Sequence, residues 1–465
     1  MTPASTPAVD TGRLWADTGL DGTALARLEL SGVDPVFPSS FAVGTLAQVS
    51  TGAAALAATE IGRARNGVVQ GAHVDMLASA LECTAWFSID GRTPDIWDKL
   101  SGLYQCADGW VRIHANFAHH RDGALRLLAL PTGDATPRSA VEAALLGWKA
   151  FAFEQAAADA KLVVAAVRTF EEWDAHPQSA AVAALPLVSF ERIGDAPARA
   201  LPPLAPDARP LTGLRVLDLT RILAGPICGR TLAAYGADVL LVNSPTLPNI
   251  ESIIDTSRGK LSCHIDLTEE AGRDHLRALL ADAHVLVQGY RPGGIAARGF
   301  GPEDAARIRP GLVYVSLSAY GGVGPWAGRR GFDSLVQTAT GLNHAEMLAA
   351  GASAPKPLPM QILDYATGFL MAFGAQAALL RQAQEGGSWQ VRVSLARTAH
   401  WLRSLPRIEN GLQVPMPARD AHLETLASGW GELVALRHAG VLTRTPAGWD
   451  RPSVRPGTHA PRWAT

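Results

Sequence analysis

The stretch "QILDYATGFLMAFG" (361–374) sets a single carboxylate, Asp364, directly before a run of apolar and small residues. Burying a carboxylate without a partner is costly, so chains either avoid this arrangement or use it. Asp364 could be a capping residue whose oxygens accept hydrogen bonds from the backbone N–H groups of the following helix. It could instead be a nucleophile made more reactive by partial desolvation. The residue types alone leave both interpretations open.

A second group of chemically capable side chains lies in "HANFAHHRD" (114–122), which contains His114, His119 and His120. Adjacent histidines on a strand point to opposite faces, and neither a carboxylate pair nor a cysteine completes a metal shell nearby. We therefore expect these histidines to pack in a small domain or lie at the surface, and we predict no metal site.

Alternating strands and helices are predicted after residue 213. The runs "LRVLDL" (214–219) and "ADVLLV" (237–242) are continuously apolar, as expected for strands buried on both faces of a parallel sheet. Gly236 is predicted as the C′ residue of the helix between them. The pattern then predicts a capped amphipathic helix (268–283), a strand (284–290), a helix near 293–308 and a strand (312–321). This order indicates an open α/β domain, in which ligands bind beyond the carboxyl ends of the strands.

The segment 194–213 carries five prolines between Pro197 and Pro210 and is predicted to be a semi-extended linker. We divide the chain accordingly into four segments. They are an N-terminal region (12–195), the linker (196–212), the α/β domain with Asp364 (213–405), and a C-terminal tail predicted to pack on that domain (406–465).

The sequence also contains an internal repeat. Residues 51–82 align with residues 367–401, matching Thr51-Gly52 with Thr367-Gly368, Arg65 with Arg381, and Val74 with Val391 after one inserted residue. The position that matches Asp364 is Gln48. Two helices of one design are therefore predicted, and one of them carries the acid.

Composition narrows the function classes. The 465 residues have a formal charge of −2 and are 48% hydrophobic, which favours a globular protein that binds neither nucleic acid nor membrane. The first residues resemble no signal peptide, and no apolar run reaches the ~18–20 residues that span a bilayer. The four cysteines are scattered without a CxxC spacing, so we expect a reduced, cytoplasmic protein.

Several motifs in sequence order resemble those of the family III CoA-transferases. They are "GLRVLDLTRILAGPICGRTLAAYGADVLLV" (213–242), "SRGKLSCHIDL" (257–267), "VLVQGYRPGGIAARGFG" (285–301), "LVYVSLSAYGGVGPWAGRRGFDSLVQTATG" (312–341) and "QILDYATG". The N-terminal region resembles the second half of that family, a helix plus a small domain, but lacks the acid. The resemblance thus implies the family III fold, a Rossmann-like sheet domain plus a smaller α+β domain, with the order of the halves permuted. Duplication followed by loss of the outer pieces would explain that order.

The resemblance implies that Asp364 is the nucleophile that attacks an acyl-CoA thioester, forming a mixed anhydride and then an aspartyl-CoA thioester. Its small neighbours Ala366, Thr367 and Gly368 would leave room for the thioester. Asp333, in "GFD", could position the acyl carbonyl or hydrogen-bond near the nucleophile, or it could cap a helix at 334–341. Both roles stay open.

The resemblance also implies a set of CoA-binding residues, most of them basic, as suits an anionic ligand. They are Arg221, Ile222, Leu223, Arg258, Lys260, Tyr290, Arg298 and Arg330. It implies coenzyme A and acyl-CoA as substrates rather than a permanently bound cofactor, a carboxylic acid as acceptor, and a homodimer. Whether permuted chains interlock is left open.

Three alternatives compete with a CoA-transferase. A non-catalytic CoA-binding subunit that pairs with an active homologue is compatible with Gln48, the permuted order and the altered loop motifs. An acyl-CoA racemase is disfavoured because Phe332 stands where the related racemases carry a histidine base. A dinucleotide oxidoreductase is disfavoured because "TRILAGP" follows the first strand and contains no GxGxxG.

Overall fold

The computed structural model describes residues 5–464. Its strands are β1 (Leu28–Ser31), β2 (Ala72–Asp75), β3 (Phe87–Ile89), β4 (Gly102–Gln105), β5 (Trp110–Ile113), β6 (Val164–Ala166), β7 (Ser189–Gly194), β8 (Arg215–Leu219), β9 (Asp238–Asn243), β10 (Lys260–His264), β11 (Val285–Gln288), β12 (Val313–Ser318), β13 (Ser388–Ser394), β14 (Leu423–Ser428), β15 (Gly431–Leu436) and β16 (Val441–Leu442).

The α-helices connect these strands and pack on them. They are α1 (Pro7–Ala16), α2 (Val43–Asn66), α3 (Met76–Glu82), α4 (Ala118–Leu127), α5 (Arg138–Leu145), α6 (Ala150–Asp159), α7 (Phe170–Ala175), α8 (Pro177–Ala183), α9 (Ala224–Ala234), α10 (Ile253–Thr256), α11 (Glu270–Ala281), α12 (Pro302–Ile308), α13 (Asp333–Ala339), α14 (Leu342–Ala349), α15 (Ile362–Glu385) and α16 (Leu395–Ser404).

A seven-stranded sheet forms the centre of the molecule, with the strand order β10-β9-β8-β11-β12-β13-β7. All neighbours are parallel except β13 and β7, which are antiparallel. Alternate residues of one strand enter different cores: Val216 packs in the cluster that contains α15, and Leu217 packs in the cluster on the opposite face. The predicted open α/β fold with strands buried on both faces is confirmed.

The predicted elements after residue 213 are present, with differences at their ends. Gly236 is the C′ residue of α9, as predicted, with a φ of +102°. The helix predicted to be capped, α11, begins at Glu270 without a side-chain hydrogen bond at its N-cap. The helix expected near 293–308 is shorter, because the chain forms only a 3₁₀ turn (Ala296–Arg298) before α12 starts.

The 24-residue helix α15 is the core helix that carries Asp364, and it packs against α2, α9 and the central sheet. By length and composition it could cross a membrane, which corrects the expectation that no apolar run is long enough. Its apolar window is completely buried inside the protein. An apolar surface on every side is what a helix needs when other elements surround it completely.

The internal repeat is visible as two helix–strand–helix units, α2–β2–α3 and α15–β13–α16. Asp75 and Ser394 cap the second helix of each unit. Two hydroxyl pairs are also equivalent, Thr51 with Ser79 at 2.9 Å and Thr367 with Thr398 at 2.7 Å between Oγ atoms. Because the capping residues Asp75 and Ser394 correspond, Val74 matches Val393. The sequence pairing of Val74 with Val391 was therefore wrong by two residues.

The packing units differ from the four sequence segments. Residues 100–166, here called the small domain, form the sheet β4-β5-β6 around a core of their own. The rest of the N-terminal region joins the large body: α2 shares the core of α15, and β7 extends the central sheet. In the tail, β15 pairs with β3 and β16 with β2, while Trp463 packs on the central sheet.

Candidate active site

A cleft of about 420 Å³ opens at the carboxyl ends of the central strands. The loops after β8, β11 and β12 line one side, the first turn of α15 lies at its base, and the small domain contributes the wall that contains Phe117, His119 and His120. Two further pockets of about 230 Å³ each adjoin it along the same edge. This is the place where open α/β sheets bind ligands.

Asp364 lies in the first turn of α15 and lines the cleft, with 7% of its surface exposed. It does not cap its own helix, because the N-cap position is Gln361 and no side chain of that position makes a capping hydrogen bond. Burial, together with the nearby charge of Asp333, raises the pKa of Asp364 well above its usual range. A carboxylate in this environment is poorly solvated, and its charged form is reactive.

Asp333 is completely buried, and its carboxylate accepts a hydrogen bond from the first turn of α15, the role that a capping Asp364 would have had. The backbone N–H of Asp364 donates to Asp333 Oδ2 at 2.8 Å, and the Gln337 amide donates to Oδ1 at 2.6 Å. Burial raises the pKa of Asp333 to about 7 against the opposing effect of these hydrogen bonds. Asp333 therefore holds the first turn of α15, rather than capping its own helix α13.

Gln337 explains how the chain brings α13 and α15 together. Its amide nitrogen also donates to the carbonyl of Met360 at 3.3 Å, while its oxygen accepts from the backbone N–H of Leu358 at 3.1 Å and from Asn343 at 3.1 Å. One buried side chain thus fixes both the loop that enters α15 and the carboxylate of Asp333. Because every partner is satisfied, this network determines a single geometry.

Gly368 has a packing role that the sequence did not reveal. A Cβ at this position would lie 2.5 Å from the carbonyl oxygen of Ala224 and 2.7 Å from Ile227 Cβ. Gly368 therefore permits the close approach of α9 to α15. Ala366, Thr367 and Gly368 are fully buried and do not line the cleft, so the expectation that they make room for a thioester was wrong.

The structure brings most of the predicted CoA-binding residues to the cleft. The cleft is lined by Arg221, Ile222, Leu223, Tyr290 and Arg330. Arg298 lines one of the two adjoining pockets, the one that also contains Thr268. In the loop after β8, Ile222 has a φ of +77°, a conformation that a β-branched residue rarely adopts. Strained backbone of this kind is concentrated at functional loops.

Arg258 and Lys260 lie away from the cleft, which corrects the sequence prediction for both. Arg258 is buried between Asp255, at 2.5 Å, and Glu424, at 2.7 Å. The ammonium group of Lys260 lies 2.7 Å from Asp218 Oδ2. A buried cation needs such partners, so these two charges stabilise the interior and are not available to a phosphate.

Sequence reasoning missed Arg291 and Arg329. Arg291 lines the cleft and both adjoining pockets, and its place in the "GYRPGG" motif could have identified it. Arg329 lines the cleft, stacks on Trp326 at 4.0 Å and lies 3.3 Å from Glu154 of the small domain. Its neighbour Arg330 donates to the carbonyl of Lys161 in the same domain at 3.0 Å. Both arginines thus connect the cleft to the small domain.

The histidines occupy different environments from those expected of a strand. His119 and His120 lie in the first turn of α4, whereas His114 stacks on Phe332 with 4.0 Å between ring centres. Burial lowers the pKa values of His114 and His120 to about 3 each, so both rings are neutral at physiological pH. Among residues 5–464, no group of three or more histidine, cysteine or acidic side chains is placed to hold a metal ion.

Known proteins match parts of this chain. The family model described as CoA-transferase family III matches residues 211–427. An acetyl-coenzyme A transferase of Hypoxylon pulicicidum is 36% identical over 207 residues, which cover 43% of this chain and 35% of that protein. A crystal structure of a CAIB/BAIF family protein from Brucella suis is 27% identical and covers 48% of this chain and 65% of that one, with a TM-score of 0.38.

An acyl-CoA transferase of Gibberella moniliformis is 29% identical over 370 residues, covering 72% of this chain and 64% of that protein. That share is larger than residues 211–465, so the alignment extends into the N-terminal half. The chain spans between about a third and two thirds of the length of the relatives named here. Residues 211–427, which carry Asp333, Asp364 and the loops of the cleft, thus match CoA-transferase family III, the family that the sequence motifs resemble.

Proposed function

We propose that this protein transfers CoA from an acyl-CoA to a carboxylic acid, with Asp364 as the covalent nucleophile. The observation that carries the proposal is the position of the Asp364 carboxylate. It lines the cleft at the base of a ligand-binding edge, while Asp333 takes over the capping of its helix. The relatives named as acetyl-coenzyme A and acyl-CoA transferases support acyl-CoA donors.

The reaction proceeds in four balanced steps. A carboxylate oxygen of Asp364 attacks the thioester carbonyl carbon, the C–S bond breaks, and CoA leaves as a thiolate. The thiolate then attacks the aspartyl carbonyl of the mixed anhydride and releases the donor acid as its carboxylate. The acceptor carboxylate attacks the aspartyl-CoA thioester, which again frees the thiolate. Attack of that thiolate on the acceptor carbonyl gives the new acyl-CoA and restores Asp364.

The charges around the cleft suit the phosphates of CoA. Arg221, Arg291 and Arg330 line the cleft, and Arg298 lines the adjoining pocket. Fixed guanidinium groups bind phosphates through paired hydrogen bonds. We assign the phosphate end of CoA to this basic edge and the thioester to the base of the cleft beside Asp364.

The test is trapping of the covalent intermediate. When the purified protein is supplied with acyl-CoA and no acceptor, intact-protein mass should increase by an acyl or a CoA group. Hydroxylamine should then convert one side chain to a hydroxamate within "QILDYATGFLMAFGAQAALLR", and none within residues 41–65. The region 41–65 serves as an internal control because it contains the equivalent helix with Gln48 in place of the acid.

The matched variant is Asp364→Asn, which keeps the size of the side chain but is a far weaker nucleophile. It should bind CoA and form no adduct, and its free energy of unfolding should not fall by the ~1 kcal/mol that loss of a cap costs. Near-normal transfer by a folded Asp364→Asn protein would refute the proposal. CoA binding by wild-type protein without any adduct from a panel of acyl-CoAs would favour a non-catalytic CoA-binding subunit.

A further inference from the structure

One face of the small-domain sheet packs against the segment that carries Asp333. Side chains alternate along a strand, so Val111 and Ile113 of β5 enter the core of the small domain while Arg112 and His114 point to the other face. His114 stacks on Phe332, the residue before Asp333, with 4.0 Å between ring centres. Arg112 is therefore directed toward the start of α13, where Asp333 lies.

Arg112 is a buried cation without a carboxylate in contact. It is 8% exposed, its guanidinium carbon lies 5.6 Å from the centre of the Trp97 ring, and its Nε has no hydrogen-bond partner. Within residues 5–464, no acidic side chain lies within ion-pair distance of it. Burial lowers the pKa of Arg112 to about 10 while the charge of Asp333 opposes that change, so it remains a cation at neutral pH.

The nearby pair of carboxylates needs a cation. Asp333 and Asp364 are buried together, and two such carboxylates resist being ionised at the same time. Two other titratable groups near Asp333 supply no charge, because burial raises the pKa of the Cys83 thiol and lowers that of the His114 ring. Arg329 and Arg330, just before Phe332, are held instead by Glu154 and by the carbonyl of Lys161. Among these neighbours, Arg112 is the cation that is not held in this way.

We propose that Arg112 is a positioning residue of the active site: from the small domain, it stabilises the state in which Asp333 and Asp364 are both ionised. In that state Asp333 keeps accepting from the backbone N–H of Asp364, and Asp364 is a free nucleophile. The catalytic consequence rests on the proposed function of Asp364. It also gives the small domain a part in the chemistry, beyond the wall of the cleft that contains Phe117, His119 and His120.

The kinetic test is the pH profile of adduct formation from acyl-CoA. In Arg112→Met the rising limb should move to higher pH by about one unit, which is a tenfold loss of rate at a fixed pH on that limb. Arg112→Lys keeps the positive charge and should restore most of the profile. The control is Arg126→Met, because Arg126 is an exposed cation of the same domain, in the last turn of α4, and removing it changes the net charge by the same amount. It should leave the midpoint of the profile in place.

A direct titration makes the result independent of turnover. In protein with ¹³C-labelled aspartate carboxyl groups, the NMR signals absent from Asp333→Asn and Asp364→Asn identify the pair, and its upper pKa should rise in Arg112→Met but not in Arg126→Met. An unshifted pair in folded Arg112→Met or Arg112→Gln would overturn the inference, even if activity fell. A shifted titration in a protein whose wild type forms no adduct would support the inference and refute the proposed function.

Discussion

At the scale of single residues, two aspartates have different roles. One accepts hydrogen bonds at the start of a helix, and the other presents its carboxylate to the cleft. Asp333 accepts two hydrogen bonds, one from the backbone of Asp364 and one from Gln337, and so both of its oxygens are occupied. Asp364 lines the cleft and accepts none of the helix N–H groups that a cap would bind. A nucleophile must present a lone pair to substrate, and a capping oxygen has already directed its lone pairs to the backbone.

The pKa of Asp333 gives a stability prediction with a definite sign. Its pKa is raised to about 7 in the folded protein, from 3.8. Between these values the folded state retains a proton that the unfolded state has lost, so the stability contributed by this group is present below about 3.8 and is lost as the pH rises through about 7. The substitution Asp333→Asn removes this titration, because an amide side chain has no proton to lose in this range.

The measurement compares wild type with Asp333→Asn by urea unfolding from pH 4 to pH 8. At pH 4 the variant should be less stable by about 1 kcal/mol, because asparagine offers one acceptor oxygen for two donors. The difference should shrink or reverse as the pH rises. A difference that grows with pH would mean that Asp333 is ionised with a lowered pKa in the folded state.

Phe332 predicts the reaction class. Its ring lines the cleft beside Asp364 and stacks on His114, so the position holds a phenyl group with no proton to exchange. A chiral 2-methylacyl-CoA in heavy water should therefore show no measurable exchange of its α-hydrogen. NMR of the recovered thioester measures this directly, and rapid scrambling of the stereocentre would favour an isomerase over a transferase.

At the scale of elements, the two repeat units have the same order and caps but different sites. In the second unit, α15 presents Asp364 to the cleft. In the first unit, the Gln48 amide donates to the carbonyls of Ser31, at 2.7 Å, and Val74, at 2.9 Å, and the side chain is fully buried. The equivalent position is therefore closed by hydrogen bonds between α2 and the strands β1 and β2.

Gln48→Ala tests this assignment. The variant leaves two buried carbonyls without donors, and each unsatisfied group costs about 1–3 kcal/mol, so the urea midpoint should fall clearly. Turnover of the folded fraction should stay within a few-fold of wild type. Asp364→Ala, measured in parallel, should show the opposite pattern of lost turnover and little lost stability. Equal losses of turnover in the two variants would mean that the active copy was assigned wrongly.

At the scale of the whole molecule, a buried ionic network connects the N-terminal region, the central sheet domain and the tail. Glu82 of α3 contacts Arg230 of α9 at 2.6 Å, His438 at 3.1 Å, and the backbone N–H of Ala439 at 2.9 Å. Burial by itself raises the pKa of Glu82, but the charges and hydrogen bonds of these partners outweigh it and lower the pKa to about 2. These three parts of the chain are therefore fixed to one another by one shared charge cluster.

Glu82→Gln should destabilise the protein by about 1.5–3 kcal/mol at pH 7, because a neutral amide replaces one of the two carboxylates that pair with Arg230 while Asp255 stays in place. The stability that Glu82 contributes is present above its ordinary pKa of 4.5 and is lost as the pH falls through about 2. Denaturant unfolding between pH 7 and pH 3 should show the gap between wild type and variant narrowing with acid. A constant gap would show that the charge of Glu82 does not contribute.

The homodimer expected from the family resemblance stays a prediction, to be measured by sedimentation. The helix α15 cannot form the dimer interface, because α2 of the same chain packs along it.

Local patterns along the chain were enough to predict most of the elements and to single out Asp364 as a candidate, which the structure places in the cleft. Period and apolarity indicated the strands around residues 214–219, 237–242 and 312–321, because such patterns reflect which faces are buried. Ordered motifs indicated Asp364 and the family whose model matches the chain. Only the folded structure shows which basic side chains are available to bind a ligand. Arg258 and Lys260 look like phosphate ligands in a one-dimensional motif, yet their partners Glu424 and Asp218 come from distant segments and neutralise them in the interior. The same reason kept Arg112 out of the prediction: a cation becomes significant for a site when folding removes water and every competing partner, and no spacing in the sequence records that.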